Sequence, residues 1–222
     1  MGSITRSFAN NIGSSGTLVA SAVTNATVED ITVFGTAPSP STLVLISTQT
    51  ASSSATISFT TGLDSTYDEY IFKFINIHPS GNNSLTVNFS TDGGSNYNVT
   101  KTTTFFVAYN NEAGTSGVLQ YDGGSDLAQS TAAQIFLALE ISNSNDGNAS
   151  GYLQLFNPSS TTYVKHFIAR INGLSGNPAD YSHDNFVAGY CNTTSAVNAV
   201  QFSMTSGNID DGIIKLYGVK KS

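Results

Sequence analysis

Turn residues interrupt this chain at short intervals, and that spacing constrains its fold more than any other feature. Between clusters rich in Gly, Asn, Ser, Asp and Pro, apolar residues alternate with Ser, Thr and other polar residues. Alternation with period 2 covers one face of a β-sheet. It predicts strands at 43–46, 56–60, 70–77, 85–89, 103–109, 117–121, 133–141, 151–156, 162–171, 185–191, 199–204 and 212–219. Because no helical period intervenes, we predict an all-β protein, an antiparallel β-sandwich with jelly-roll topology.

Two segments refine this prediction. The strand at 70–77 has apolar residues on both faces, so it belongs in the centre of a sheet. One face carries Ile71, Lys73, Ile75 and Ile77, and the other carries Tyr70, Phe72, Phe74 and Asn76. The cluster at 173–178, rich in Gly, Ser, Asn and Pro, predicts a turn that ends the strand at 162–171.

Composition limits the classes of function. Aromatic residues make up 10% of the chain, enough large apolar side chains to form a core. Charged residues also make up only 10%, which excludes a coiled coil, and the net charge of -7 repels nucleic acid. The single cysteine, Cys191, excludes an internal disulfide. We expect no membrane insertion and no Sec export, since no run of 18 apolar residues and no apolar stretch near Met1 occurs.

Residues 1–40 differ from the body at 41–222. Their few large apolar residues are dispersed, and Pro38 and Pro40 close the segment as an extended hinge. So small an apolar set does not form an independent core. We predict an extended N-terminal attachment arm that docks on another subunit; packing back on its own body is the alternative. Its anchoring residues are Phe8, Leu18, Val23, Val28, Ile31 and Phe34.

The residues that carry chemistry do not form a recognisable active site. His78, His166 and His183 lack the close spacing of metal ligands. A triad of Cys191, His183 and Asp184 lacks any surrounding signature, and no phosphate-binding glycine motif occurs. We expect a small buried cysteine, a partly buried His166 in a strand, and a non-enzymatic protein that needs no cofactor.

The motif Asp-Gly-Gly-Ser occurs at 92–95 and again at 122–125. Glycine supplies the backbone conformation that tight turns require, and each loop offers a single carboxylate where calcium takes six to eight oxygens. We therefore interpret both motifs as turns and expect no metal site.

Tyrosines beside turns are candidates for contact with a carbohydrate, since an aromatic ring can stack on a sugar. They are Tyr97, Tyr109, Tyr121 and Tyr181. The absence of Trp makes this interpretation weaker than one in which the same rings pack at the sheet edge.

Several segments resemble virion proteins of tailed phages, in particular those of marine cyanobacterial phages. The opening ITRSFANNI (4–12) resembles the attachment end of their fibre-type proteins. FINIHP (74–79), STDGGSNY (90–97) and LFNPSS (155–160) resemble recurring pieces of virion proteins, and MTSGNIDDGIIKLYG (204–218) resembles their last β-hairpin.

The resemblance implies a structural protein of the virion surface, assembled in the host cytoplasm, either a short fibre or a capsid decoration. It implies a homotrimer that contacts other virion proteins of the capsid or tail, and it carries over no catalytic residue. The alternative is a receptor-binding module that recognises host-surface glycan.

Overall fold

The computed structural model describes residues 42–136 and 139–221. These residues form thirteen β-strands and no helix. The strands are β1 (Leu43–Thr50), β2 (Thr56–Phe59), β3 (Glu69–Pro79), β4 (Leu85–Ser90), β5 (Lys101–Asn111), β6 (Gly117–Tyr121), β7 (Gln134–Ile135), β8 (Glu140–Ile141), β9 (Ala149–Phe156), β10 (Lys165–Asn177), β11 (Ala179–Cys191), β12 (Ala199–Met204) and β13 (Ile209–Val219).

The strands form two antiparallel sheets. The large sheet has the order β1-β13-β3-β9-β10-β11-β5-β6, and β8 pairs with β10 beside this path. The small sheet has the order β2-β12-β4-β7. The prediction of an all-β antiparallel sandwich is confirmed, and the jelly-roll topology stays a prediction.

Aromatic side chains hold the two sheets together. Phe202 of the small sheet packs edge-on against Phe72 and Phe74 of the large sheet, with ring centroids 5.3 and 5.1 Å apart. Phe59 of β2 meets Phe72 at 5.2 Å. All four rings are buried. Edge-to-face pairs of this kind stabilise by about 0.5–1.5 kcal/mol each beyond the area they bury.

Strand β3 lies between β13 and β9, as a strand with two apolar faces should. The predicted face of Ile77 is wrong: Ile77 is buried with Phe72 and Phe74, whereas Ile75 is exposed. Asn76 has a positive φ of 51°, and the register with β9 shifts between Phe74 and Ile77. This bulge inserts one residue, and asparagine tolerates the left-handed conformation there.

The predicted turn at 173–178 is also wrong over most of its length. β10 continues to Asn177, and β11 begins at Ala179. Gly173 pairs with His183 of β11, and Ser175 pairs with Ile141 of β8. Residues of weak strand propensity stay extended here because neighbouring strands take up their backbone hydrogen bonds.

The turn prediction for 92–95 is confirmed. The Asp92 carboxylate accepts hydrogen bonds from the Ser90 hydroxyl at 2.6 Å and from the Asn96 backbone N–H at 2.9 Å. These bonds lower the pKa of Asp92 to about 2. The predicted arm, with its anchoring residues Phe8, Leu18, Val23, Val28, Ile31 and Phe34, lies outside the described residues.

Candidate functional site: the outer face of the large sheet

One cross-strand row runs over seven strands on the face of the large sheet that points away from the small sheet. We call it the outer row. Its members pair in register, in the order Lys215, Lys73, Tyr152, Arg170, Phe186, Phe106 and Tyr121. On the six strands from β13 to β5, each member lies on the face opposite to that strand's core residues, because side chains alternate along a strand. Tyr121 of β6 lies on the same face because it pairs directly with Phe106.

The centre of the outer row is an ordered stack. The rings of Phe106 and Phe186 are parallel within 6°, with centroids 4.6 Å apart. The guanidinium of Arg170 lies over the other face of Phe186, 4.8 Å from its centroid. Arg170 also donates hydrogen bonds to both carboxylate oxygens of Asp184, at 2.6–3.1 Å. These bonds raise the pKa of Arg170, so the guanidinium stays charged.

This stack limits what the surface can bind. Phe186 has both ring faces covered, one by Phe106 and one by Arg170. A sugar ring stacks on the open face of an aromatic ring, so Phe186 offers no platform of that kind. The accessible part of Phe186 is its ring edge, which suits packing against another protein surface.

Two shallow grooves border the stack. One, of about 270 Å³, is lined by Phe106, Tyr152, Ile168, Arg170, Phe186 and Ala188. The other, of about 420 Å³, is lined chiefly by Thr102, Thr104, His166, Ile168, Ala188 and Tyr190. The two grooves share Ile168 and Ala188, so they form one continuous apolar depression across β5, β11 and β10.

The expectation that His166 is partly buried is wrong. His166 is exposed on the outer face, and its neighbour Lys165 is the buried residue. The phase of β10 decides this, because Phe167, Ala169 and Ile171 point inward and force His166 outward.

The four tyrosines predicted to contact carbohydrate do not form one site. Tyr121 is 58% exposed at the end of the outer row, and its hydroxyl donates to the Asp126 carboxylate. Tyr109 and Tyr181 meet edge-on, 5.7 Å apart, in register positions of the opposite face, and Tyr109 packs on the core. Tyr97 is half-buried in the loop after β4.

The residues Cys191, His183 and Asp184, considered above as a catalytic triad, are not close together. His183 is buried, whereas its neighbour Asp184 faces outward and binds Arg170. Cys191 lies eight residues farther along β11, roughly 26 Å away at the rise of an extended strand. These three side chains therefore do not act as a unit.

Cys191 is buried, as expected, and lies in register between two buried lysines, Lys165 and Lys101. The Lys101 ammonium donates to Asn88 Oδ1 at 2.7 Å and to the Val99 carbonyl at 3.0 Å. Burial lowers the pKa of Lys101 to about 8 and raises the pKa of the Cys191 thiol to about 12. A thiol that stays protonated is a poor nucleophile, so Cys191 is not activated for attack.

A cleft of about 460 Å³ lies between the loop at 145–148 and the start of β13, and Asp146, Asp210 and His78 are among the residues that line it. His78 Nδ1 is 4.0 Å from the Asp210 carboxylate. Within residues 42–136 and 139–221, no three His, Cys, Asp or Glu side chains are arranged to hold a metal ion.

Sequence reasoning missed Tyr152, Arg170, Phe186 and Phe106. Each strand shows these residues in alternation with core residues, but only the register of six strand pairs places them side by side.

In the described part of the chain, no helix of the length and apolarity needed to cross a bilayer occurs. Compared with known proteins, the chain matches no family model, and neither the curated proteins nor the solved structures gave a match.

Proposed function

We propose that this protein is a non-enzymatic structural component of a tailed-phage virion, a surface fibre or capsid-decoration protein. In this proposal residues 1–40 anchor it to the capsid or tail, and the β-sandwich faces solvent at the virion surface. Three copies assemble through their bodies, so that part of each outer face is covered by a neighbour.

The observation that carries the proposal is the concentration of exposed apolar side chains on one face. Leu119 is 71% exposed, Ile168 46% and Phe106 41%, and all three face outward on the large sheet. A contiguous apolar patch on a soluble protein marks a surface that another molecule covers. Because both faces of the Phe186 ring are already covered, protein packing suits the centre of this patch better than stacking on sugars.

The strand order supports the finer proposal of a jelly roll. The chain alternates between the sheets over β1 to β4, and the last strands return between the first ones, as β1-β13-β3 and β2-β12-β4. In this interpretation the core has eight strands, four in each sheet (β1, β13, β3 and β9; β2, β12, β4 and β7). The hairpins β5–β6 and β10–β11 are added to it and enlarge the outer face, and the two-residue strand β8 pairs with β10 beside them. Sandwiches of this kind are common in viral capsid proteins.

Incorporation into particles tests the proposal. Tagged full-length protein is supplied in trans during phage growth, and its amount in purified particles is measured. We expect wild-type protein in the particles and a soluble, excluded variant when residues 1–36 are deleted. Normal incorporation of that deletion would contradict the anchoring role.

A matched pair of substitutions tests the outer face. Ile168→Lys places a charge in the apolar depression, and Thr161→Lys adds the same charge in an exposed loop. We expect Ile168→Lys, and not Thr161→Lys, to reduce trimer formation by the full chain. Equal behaviour of the two variants would remove the outer face from the proposal.

The second candidate function is recognition of host-surface carbohydrate. Tyr121 and Tyr152 favour it, because both are exposed rings at the margins of the outer row. A glycan array probed with the full chain tests it. Binding that is abolished by Tyr121→Ala supports recognition, and binding to no glycan leaves the structural role.

A further inference from the structure

Among the described strands, β6 ends the large sheet, and this edge differs from the other sheet edges. β1 carries a bulge between Leu45 and Ser47, β2 has four residues and β7 has two. Bulges and short strands protect an edge from pairing with another chain. β6, with the sequence GVLQY, has five paired residues, no bulge, no charge and no proline. Every residue of β6 is exposed.

The register with β5 shows which backbone groups of β6 are free. The Asn111 N–H donates to the Ser116 carbonyl, and the Asp122 N–H donates to the Phe105 carbonyl. Hydrogen-bonded pairs alternate along an antiparallel ladder, so Val118 and Gln120 are the members of β6 that bond to β5. The N–H and C=O groups of Gly117, Leu119 and Tyr121 point away from β5, on the side where no described strand pairs with β6.

We propose that the β6 edge pairs with the β6 edge of a second copy of this chain, antiparallel and about a two-fold axis at Leu119. The inference rests on the proposed assembly role. Because a two-fold contact pairs two identical edges and a ring of three copies does not, the β6 edges join two neighbouring trimers. In this register Leu119 lies opposite Leu119 of the second copy, and Tyr121 lies opposite Gly117. The two large sheets then form one continuous sheet.

The side chains of β6 are complementary to themselves in this register. Residues directly opposite each other in an antiparallel pair extend on the same face. Gly117 has no side chain, so it leaves room for the Tyr121 ring of the other copy, and an aromatic ring across from an edge glycine covers its exposed backbone. Because β6 has no charged residue, its side chains bring no like charges together in this contact, although the chain has a net charge of -7.

The area of the contact determines its strength. Tyr121 is 58% exposed, and a whole aromatic ring buries about 150–250 Å², so each copy contributes roughly 90–150 Å² from this ring. With Leu119, 71% exposed, the two copies together bury a few hundred Å² of side chain. Stable interfaces need about 1,200 Å² or more, so we expect a weak, concentration-dependent contact in solution. Copies held side by side on a particle would form it at high effective concentration.

Sedimentation equilibrium of the full chain over a wide range of concentration tests the pairing with two variants. Leu119→Lys places two like charges at the two-fold axis. Leu119→Pro removes a backbone N–H that β5 does not use, and proline is tolerated where an edge N–H faces solvent. We expect each variant to weaken the concentration-dependent doubling of mass by about tenfold or more. Circular dichroism checks that both variants keep the fold.

The controls separate this inference from the proposed function. Ile168→Lys, on the outer face away from the edge, is expected to weaken trimer formation and to leave the pairing of copies through β6 intact. Doubling in both Leu119 variants at wild-type strength overturns the edge pairing. If doubling is lost only in Ile168→Lys, the contact lies on the outer face, and the edge pairing is overturned as well. Loss of doubling on deletion of residues 1–36, with both Leu119 variants unaffected, assigns the contact to the arm and overturns it as well.

Discussion

His183 makes the protein sensitive to acid. Its ring is fully buried on the core side of β11, and the Asn185 amide donates to Nδ1 at 3.1 Å. Because Nδ1 accepts, the proton of the neutral ring is on Nε2, which is buried and has no hydrogen-bond partner among the described residues. Burial lowers the pKa of His183 from 6.5 to about 4, although Asn185 and Asp184 act in the opposite direction.

The size and sign of the effect follow from this pKa. Between about pH 6.5 and pH 4 the unfolded chain binds a proton that the folded protein does not. The free energy of unfolding therefore falls as the pH falls through this window. A difference of about 2.5 pKa units corresponds to roughly 3 kcal/mol, fully lost below about pH 4. That is a large fraction of the total stability of a domain, about 5–15 kcal/mol.

Urea unfolding at a series of pH values measures this effect in wild type and in His183→Leu. We expect the difference in unfolding free energy between the two to change by roughly 3 kcal/mol from pH 7 to pH 4, in favour of the variant in acid. His166→Leu, which removes an exposed histidine from the neighbouring strand, is the matched control. Its unfolding free energy should fall in acid as that of wild type does. A difference that stays constant over this range would refute the assignment of a buried neutral imidazole.

Two further predictions concern the core. Phe202→Ala removes the ring that joins the sheets and should lower the unfolding free energy by about 3–5 kcal/mol. The outward-facing Phe186→Ala is the control and should lower it by about 1 kcal/mol. A loss below about 1 kcal/mol for Phe202→Ala would argue against the sheet packing. The second variant is Lys101→Met. Wild type gains unfolding free energy between pH 8 and pH 10.5, because its buried ammonium, with a pKa of about 8, is neutralised in the folded protein before it is neutralised in the unfolded chain. The difference in unfolding free energy between wild type and Lys101→Met should therefore change by about 3 kcal/mol over this range, in favour of wild type at high pH. A pH-independent difference would mean that Lys101 is solvated.

The fold class was accessible from the sequence because alternation with period 2 is a local property. The predicted strands at 117–121 and 199–204 coincide with β6 and β12. The prediction was wrong where one residue changed the phase, at Asn76, and where weak strand formers were held by their neighbours, at 173–177. Both departures depend on pairing partners that are distant in sequence.

The candidate site was much harder to predict from the sequence than the fold class. Tyr121 lies beside a turn, which is why the sequence predicts it to contact a ligand, and it does end the outer row. Tyr109 and Tyr181 also lie beside turns, but they lie together on the opposite face. A position next to a turn says little about which face a ring occupies, because that depends on the register with the adjacent strand.

By itself, the order of residues determined that this chain forms antiparallel strands around an aromatic core, without disulfides and with few charges. It also placed strand residues on one of two faces, since neighbouring side chains point in opposite directions, except where a bulge such as that at Asn76 changed the phase. Only the tertiary structure decided which strands are neighbours. The stack of Arg170, Phe186 and Phe106 and the open edge at β6 both follow from that choice, because hydrogen bonding between strands aligns residues that the chain itself keeps far apart.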